Sequence, residues 1–220
     1  MSEDILELQI GEWVLKARQP AGEGPHPVIF LIHGWTGDER SMWVFAPRLP
    51  KEAMLIAPRA PFISRHPDYG GYSWVESRPE SFSPLTAFEP ALDGFSALVD
   101  QLSQQLPGDF TRFNLAGFSQ GAAFSFALAL RYPERVRRLA SLAGFLPAES
   151  EAAIAAGGLE GKPILIAHGS QDETVPIDMA RGARQQLEAA GAQVSYCESD
   201  TGHKLGANCA RALQAFFVDA

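Results

Sequence analysis

Hydrophobic and polar positions alternate along Ile5-Leu6-Glu7-Leu8-Gln9-Ile10 and, more loosely, along Trp13-Val14-Leu15-Lys16-Ala17. Gly11-Glu12 between them supplies a turn, which predicts an antiparallel hairpin at the start of the chain. The pattern then changes. Val28-Ile29-Phe30-Leu31-Ile32, Ala53-Met54-Leu55-Ile56-Ala57 and Pro163-Ile164-Leu165-Ile166-Ala167 are apolar without interruption. Such runs mark strands covered on both faces of a sheet. Shorter strand signals lie at 112–116, 138–142 and 193–197.

Helical spacing separates these strands. Leu92, Phe95, Leu98, Val99 and Leu102 recur at three- and four-residue intervals within 89–106. Residues 122–130 are Ala- and Phe-rich with almost no polar position, as in a buried helix. Pro176 suits a first helical turn and opens a helix to about 190. Further helices are predicted at 208–218 and, shorter, at 41–49 and 150–156. Strands alternating with helices predict an α/β fold with a mainly parallel sheet and helices on both faces. No linker or repeat divides the chain, so 1–220 is expected to form one domain. Residues 59–88 break the alternation with prolines, Gly70-Gly71 and many aromatics. A segment of that length is expected to run as a loop excursion over the active-site edge of the sheet.

Charge narrows the partners. The net charge of −8 argues against nucleic acid and against an anionic membrane surface. Arg135, Arg137 and Arg138 follow a helix and are expected to face its C-terminal carbonyls. No apolar run approaches the roughly 20 residues of a membrane span, so no integral membrane association is expected. The acidic start Met1-Ser2-Glu3-Asp4 lacks a basic-then-apolar leader pattern, which predicts a cytoplasmic protein. Cys197 and Cys209 are then expected to be two reduced thiols, with one disulfide as the alternative. Neither a metal-ligand cluster nor a G-x-G-x-x-G is present, so no metal and no cofactor are expected.

Gly117-Phe118-Ser119-Gln120-Gly121 stands between a predicted strand and a predicted buried helix. That is the context in which a sharp turn lifts a serine hydroxyl off a sheet edge. A serine needs a base in reach, and the base needs an orienting acid. His168 and His203 are the two histidines after Ser119. His168 ends a strand and precedes any suitable acid, whereas His203 sits in the loop after the last strand. Among Asp172, Glu173, Asp178 and Asp200, Asp172 lies just past a strand's carboxyl end. Asp178 is explained by a helix start and Asp200 by a turn. The expected triad is therefore Ser119, His203 and Asp172. The oxyanion hole is expected from the backbone N–H groups of Gln120 and Trp35. His33 is expected to brace the turn that carries Trp35. Trp35, Tyr72 and Trp74 are expected to line an apolar acyl site.

Taken together, these stretches resemble the carboxylesterase, lysophospholipase and acyl-protein thioesterase family of α/β-hydrolases. The matching segments are Leu31-Ile32-His33-Gly34 with Gly37-Asp38-Glu39, Pro58-Arg59-Ala60-Pro61, Gly70-Gly71-Tyr72-Ser73-Trp74, the Ser119 pentapeptide, His168-Gly169-Ser170-Gln171-Asp172 with Val175-Pro176, and Gly202-His203. They occur in family order over nearly the whole chain. The resemblance implies the α/β-hydrolase fold and the same triad. It implies a serine hydrolase acting on carboxylic esters or thioesters of small to medium acyl chains through an acyl-enzyme. Acyl-protein thioesterase and lysophospholipase activity are alternatives, and a non-catalytic ligand-binding member is a remote one. Two departures stand out: Trp35-Thr36 is bulky where relatives often carry small residues, and 62–69 does not match the thioesterases' acyl-channel loop.

Overall fold

The computed structural model describes residues 5–20, 22–77 and 82–218. The predicted excursion at 59–88 therefore has its part at 78–81 outside the described residues. Strands β1 (Ile5–Ile10) and β2 (Trp13–Arg18) form the expected hairpin, with Gly11 at φ +58° in its turn. β2 docks antiparallel on β4 (Met54–Pro58). From there β3 (His26–Ile32), β7 (Gly108–Phe118), β8 (Val136–Leu142), β9 (Pro163–Gly169) and β10 (Gln193–Ser199) continue in parallel. The eight strands run β1-β2-β4-β3-β7-β8-β9-β10 across one sheet.

Both faces of the central strands are covered, and side-chain alternation sorts the core into two layers. Val28, Phe30 and Ile32 of β3 point to one layer with Leu92, Phe95, Phe124 and Leu187. These come from α1 (Glu89–Ser103), α2 (Gln120–Arg131) and α4 (Ile177–Ala189). Ile29 and Leu31 point to the other layer with Met42, Leu49, Leu213 and Phe217. That layer is built from a 3-10 helix at Ser41–Arg48 and from α5 (Ala207–Phe216). The continuous apolar runs thus arise because each alternate residue serves a different core. A short α3 (Glu151–Ala155) follows β8.

The excursion is not a featureless loop. Its first part is a two-stranded hairpin, β5 (Phe62–Ile63) with β6 (Tyr72–Ser73), and its last is a 3-10 turn at Leu85–Phe88. The hairpin is tied to the turn after β3: Thr36 N–H donates to Tyr72 O at 3.0 Å and Tyr72 N–H to Gly37 O at 2.9 Å.

Two expectations are corrected. Cys197 on β10 and Cys209 on α5 form a disulfide, with Cα atoms 5.6 Å apart, because α5 lies directly over the strand that carries Cys197. The reduced-thiol reading therefore fails, and with it any support it lent to a reducing compartment. The arginines after α2 do not face that helix's carbonyls. Arg135 reaches Asp100 on α1 at 2.8 Å, and Arg138 donates to Phe216 O at the end of α5 at 2.7 Å. Among the described residues, no helix is long and apolar enough to cross a membrane.

Candidate active site

Ser119 sits between β7 and α2 at φ +53°, ψ −119°. A non-glycine residue held there costs of order 1–3 kcal/mol, which the surrounding fold must impose. The turn is tight enough to exclude side chains on either flank. A Cβ on Gly121 would collide with Ile32 O of β3, and one on Gly117 with Gly121 O. Gln120 opens α2, so its N–H has no helical carbonyl one turn back to bond. Its side chain is a brace: Oε1 accepts from Trp74 N–H at 3.0 Å, and Nε2 donates to Ser73 Oγ at 3.2 Å.

The expected acid and base come from the ends of β9 and β10. Asp172 follows β9 and is buried. Its Oδ1 accepts the N–H groups of Thr174 and Val175, both at 2.9 Å, which fixes the carboxylate plane. Its Oδ2 lies 2.7 Å from Nδ1 of His203, in the loop after β10. The two loops are stitched by Ser170 N–H to Ser199 O at 2.7 Å and Gln171 N–H to Thr201 O at 3.0 Å. Gly169 permits this approach, since a Cβ there would strike the carbonyls of Thr201 and Gly202. His203 packs on Phe118 with ring centroids 4.9 Å apart, and Ser119 and His203 line one cavity of about 830 Å³. The other acids lie elsewhere. Asp178 pairs with Arg181, and Asp200 accepts from Gln171 Nε2 at 2.7 Å.

The turn after β3 faces the serine. A Cβ on Gly34 would lie 3.3 Å from Ser119 Cβ, so the backbone at Gly34 passes directly beside Ser119. His33 holds that turn. Nε2 accepts the N–H of Ala60 at 2.9 Å, so Nδ1 carries the proton and donates to Gly34 O at 2.7 Å. Burial lowers its pKa from 6.5 to about 4, against the backbone carbonyl of Gly34, which raises it. The ring is thus neutral at physiological pH. A second brace is the buried Glu39, gripped by Arg59 through Nε at 2.7 Å and Nη2 at 3.0 Å.

His168 is buried beside the acid. Its Nε2 donates to Val175 O at 2.8 Å and lies 3.4 Å from Asp172 Oδ2. Burial lowers its pKa below the ordinary histidine value. It secures the loop that carries Asp172 and does not line the cavity.

The expected acyl wall is only partly where it was placed. Trp35 lines the cavity. Trp74 does not: it is fully buried, stacked on Phe124 at 4.2 Å, and its Nε1 donates to His33 O at 2.8 Å. Tyr72 is also outside the cavity, beneath the Arg59 guanidinium at 4.7 Å. The hairpin turns both inward, so these aromatics pack the excursion onto the domain. The apolar wall is built instead by Met42, Val44 and Phe45 of the first 3-10 helix, with Phe118 and Leu205. Sequence reading passed over these residues. Phe118 and Leu205 flank Ser119 and His203 closely enough to have been suspected, while the 41–48 segment carried no chemical signal. Among the described residues, no three His, Cys, Asp or Glu side chains gather as a metal site requires.

A family model for phospholipase/carboxylesterase matches residues 16–217. Acyl-protein thioesterase 1 of Debaryomyces hansenii is 27% identical over 182 residues, spanning 74% of this chain and 77% of that protein. A carboxylesterase from Mesorhizobium loti superposes with TM-score 0.81 at 22% identity, covering 99% of this chain and all of its own. Acyl-protein thioesterase 2 of Zea mays superposes with TM-score 0.71 at 21% identity, over 92% of this chain and 98% of its own. The chain belongs to the phospholipase/carboxylesterase family and has the α/β-hydrolase fold.

Proposed function

We propose that this protein is a serine hydrolase that cleaves carboxylic esters or thioesters of small to medium acyl chains. The observation that carries the reading is the 2.7 Å contact between Asp172 Oδ2 and Nδ1 of His203, a residue that lines one cavity together with Ser119. Ser119 Oγ attacks the acyl carbonyl carbon while His203 Nε2 takes the hydroxyl proton. Asp172 holds the imidazole by Nδ1 and stabilises its charged form. The N–H groups of Gln120 and Trp35 receive the oxyanion, each donor being worth about 3 kcal/mol of transition-state stabilisation. The C–O or C–S bond to the leaving group breaks, and the departing oxygen or sulfur takes the proton from His203. Water then gives a proton to His203 and attacks the acyl-enzyme, and Ser119 regains its hydrogen as the carboxylic acid leaves.

A thioesterase or lysophospholipase reading is supported by a separate feature. The apolar wall reaches solvent at Val44, which is 71% exposed, so a longer chain has somewhere to go. Relatives named as acyl-protein thioesterases point the same way. The test is hydrolysis of acetyl to octanoyl p-nitrophenyl esters, acyl thioesters and lysophospholipids by wild type and Ser119→Ala. Equal rates in both proteins sink the assignment. A fluorophosphonate probe separates the remote alternative, because a ligand-binding protein without a competent triad would not be labelled.

A further inference from the structure

We propose that His66 is a specificity residue, whose Nε2–H takes a hydrogen-bond acceptor on the substrate several bonds from the scissile carbonyl. This rests on the hydrolase reading of the Ser119 cavity.

His66 lies at the tip of the β5–β6 hairpin, in the segment that departs most from the thioesterase pattern. Its Nδ1 accepts two backbone N–H groups, from Asp68 at 3.0 Å and Tyr69 at 3.1 Å. With Nδ1 committed as an acceptor, the ring's proton sits on Nε2. That atom makes no hydrogen bond among the described residues, yet His66 lines the same cavity as Ser119 and His203. The ring is held from two sides, by Trp35 with centroids 4.8 Å apart and by Tyr69 at 4.7 Å. Trp35 is itself fixed by Nε1 donating to Ser64 O at 3.2 Å. The residue before the ring, Arg65, is held at φ +49°, a left-handed conformation that is costly for a non-glycine residue. The ring is therefore positioned by the turn, by tilted contacts with two aromatic rings and by a tied neighbour, which is how an oriented donor is built.

The turn alone does not require a histidine. An Asn or Asp oxygen braces two following N–H groups equally well. What histidine adds is a donor on the far edge of the ring. Among the described residues, no carboxylate lines this cavity, and its wall of Met42, Phe45, Phe118 and Leu205 is apolar. An oxygen placed toward His66 thus meets a donor with no competing anion, whereas a methylene there leaves Nε2–H to water. The acceptor belongs either to the acyl part or to the leaving group; both present the same chemistry to the ring.

Two isosteric pairs test this, each replacing one CH₂ by O. The acyl arm compares p-nitrophenyl pentanoate with p-nitrophenyl 3-methoxypropanoate. The leaving-group arm compares butyl butanoate with 2-methoxyethyl butanoate. His66→Asn keeps the acceptor that braces the turn and removes the far-edge donor; His66→Phe removes both. In wild type, kcat/KM favours the ether member of one pair, relative to uncatalysed hydrolysis, by roughly five- to tenfold. Both variants abolish that preference through KM, and within each protein the alkyl member is the reference against which the ether member is read. The arm that responds names the side of the substrate. If neither pair is discriminated by wild type, or if His66→Asn retains the preference, the proposal is overturned. If wild type hydrolyses none of the four esters and resists fluorophosphonate labelling, the hydrolase reading itself fails.

Discussion

Asp172 divides its two carboxylate oxygens between different tasks: Oδ2 meets His203 Nδ1 at 2.7 Å, while Oδ1 takes the N–H groups of Thr174 and Val175. The substitution Asp172→Asn separates the two. The amide oxygen can still accept both backbone N–H groups, so the loop should fold as before. The amide NH₂ must then face His203 and force its proton onto Nε2, the atom required to accept from Ser119. Ester turnover is expected to fall roughly 10⁴-fold with little loss of melting temperature. A fall of less than tenfold would show that this carboxylate does not orient the base.

The strain at Ser119 should be visible in stability. At φ +53°, glycine is comfortable where alanine and serine are not. Both Ser119→Ala and Ser119→Gly should be inactive. Despite its larger unfolded-state entropy, Ser119→Gly should be the more stable of the two by about 1 kcal/mol in urea unfolding. The reverse order would mean that the elbow is unstrained.

His33 sets an acid limit. The unfolded chain takes up its proton near 6.5, the folded chain only near 4. Stability from this residue is complete above pH 6.5 and is lost as pH falls toward 4, by about 3 kcal/mol in all. His168, whose pKa burial also lowers, adds loss of the same sign. Urea titrations between pH 4 and 7 should show the slope, and His33→Asn should be less stable at pH 7 but show a shallower slope. A slope unchanged in the variant would assign the acid loss to other groups.

The two aromatic environments predict opposite phenotypes. Trp74→Ala removes a fully buried ring stacked on Phe124 and should cost about 3–5 kcal/mol, with chain-length preference retained in the protein that folds. Phe45→Ala cuts into the cavity wall and should shift the preferred acyl chain at a smaller stability cost. Chain-length profiles over acetyl to octanoyl p-nitrophenyl esters distinguish them; a Trp74→Ala profile that moves while Phe45→Ala stays put would reverse the assignment of the walls.

Much of the sheet was legible because the doubly covered part of a strand is apolar on both faces, as 28–32 of β3, 54–57 of β4 and 164–167 of β9 are. The placement of Ser119, Asp172 and His203 just past the carboxyl ends of parallel strands was legible because each follows an apolar or alternating strand signal in the chain. What was not legible depended on direction. The hairpin within 59–88 rests on backbone pairing of Phe62–Ile63 with Tyr72–Ser73, which leaves no composition signal. An aromatic-rich loop reads the same whether its rings turn toward a cavity or toward the core, and Trp74 turns to the core because Phe124 and the His33 carbonyl meet it there. The cysteines were misread because α5 crossing β10 is a tertiary fact, beyond local pattern.

The strand order β4-β3-β7-β8 has a consequence for assembly. The residues proposed as nucleophile, acid and base all follow residue 118, whereas the turn at His33, the wall at Met42 and Phe45, and the ring of His66 all precede residue 74. The β3–β7 pairing is the seam where these two stretches of chain meet. Neither stretch carries a complete set of tools, so a newly made chain is inert until that seam closes. Hydrolytic turnover in this protein is thus a count of molecules in which both stretches have come together, and two separately expressed fragments that pair along β3 and β7 would announce their encounter by releasing product.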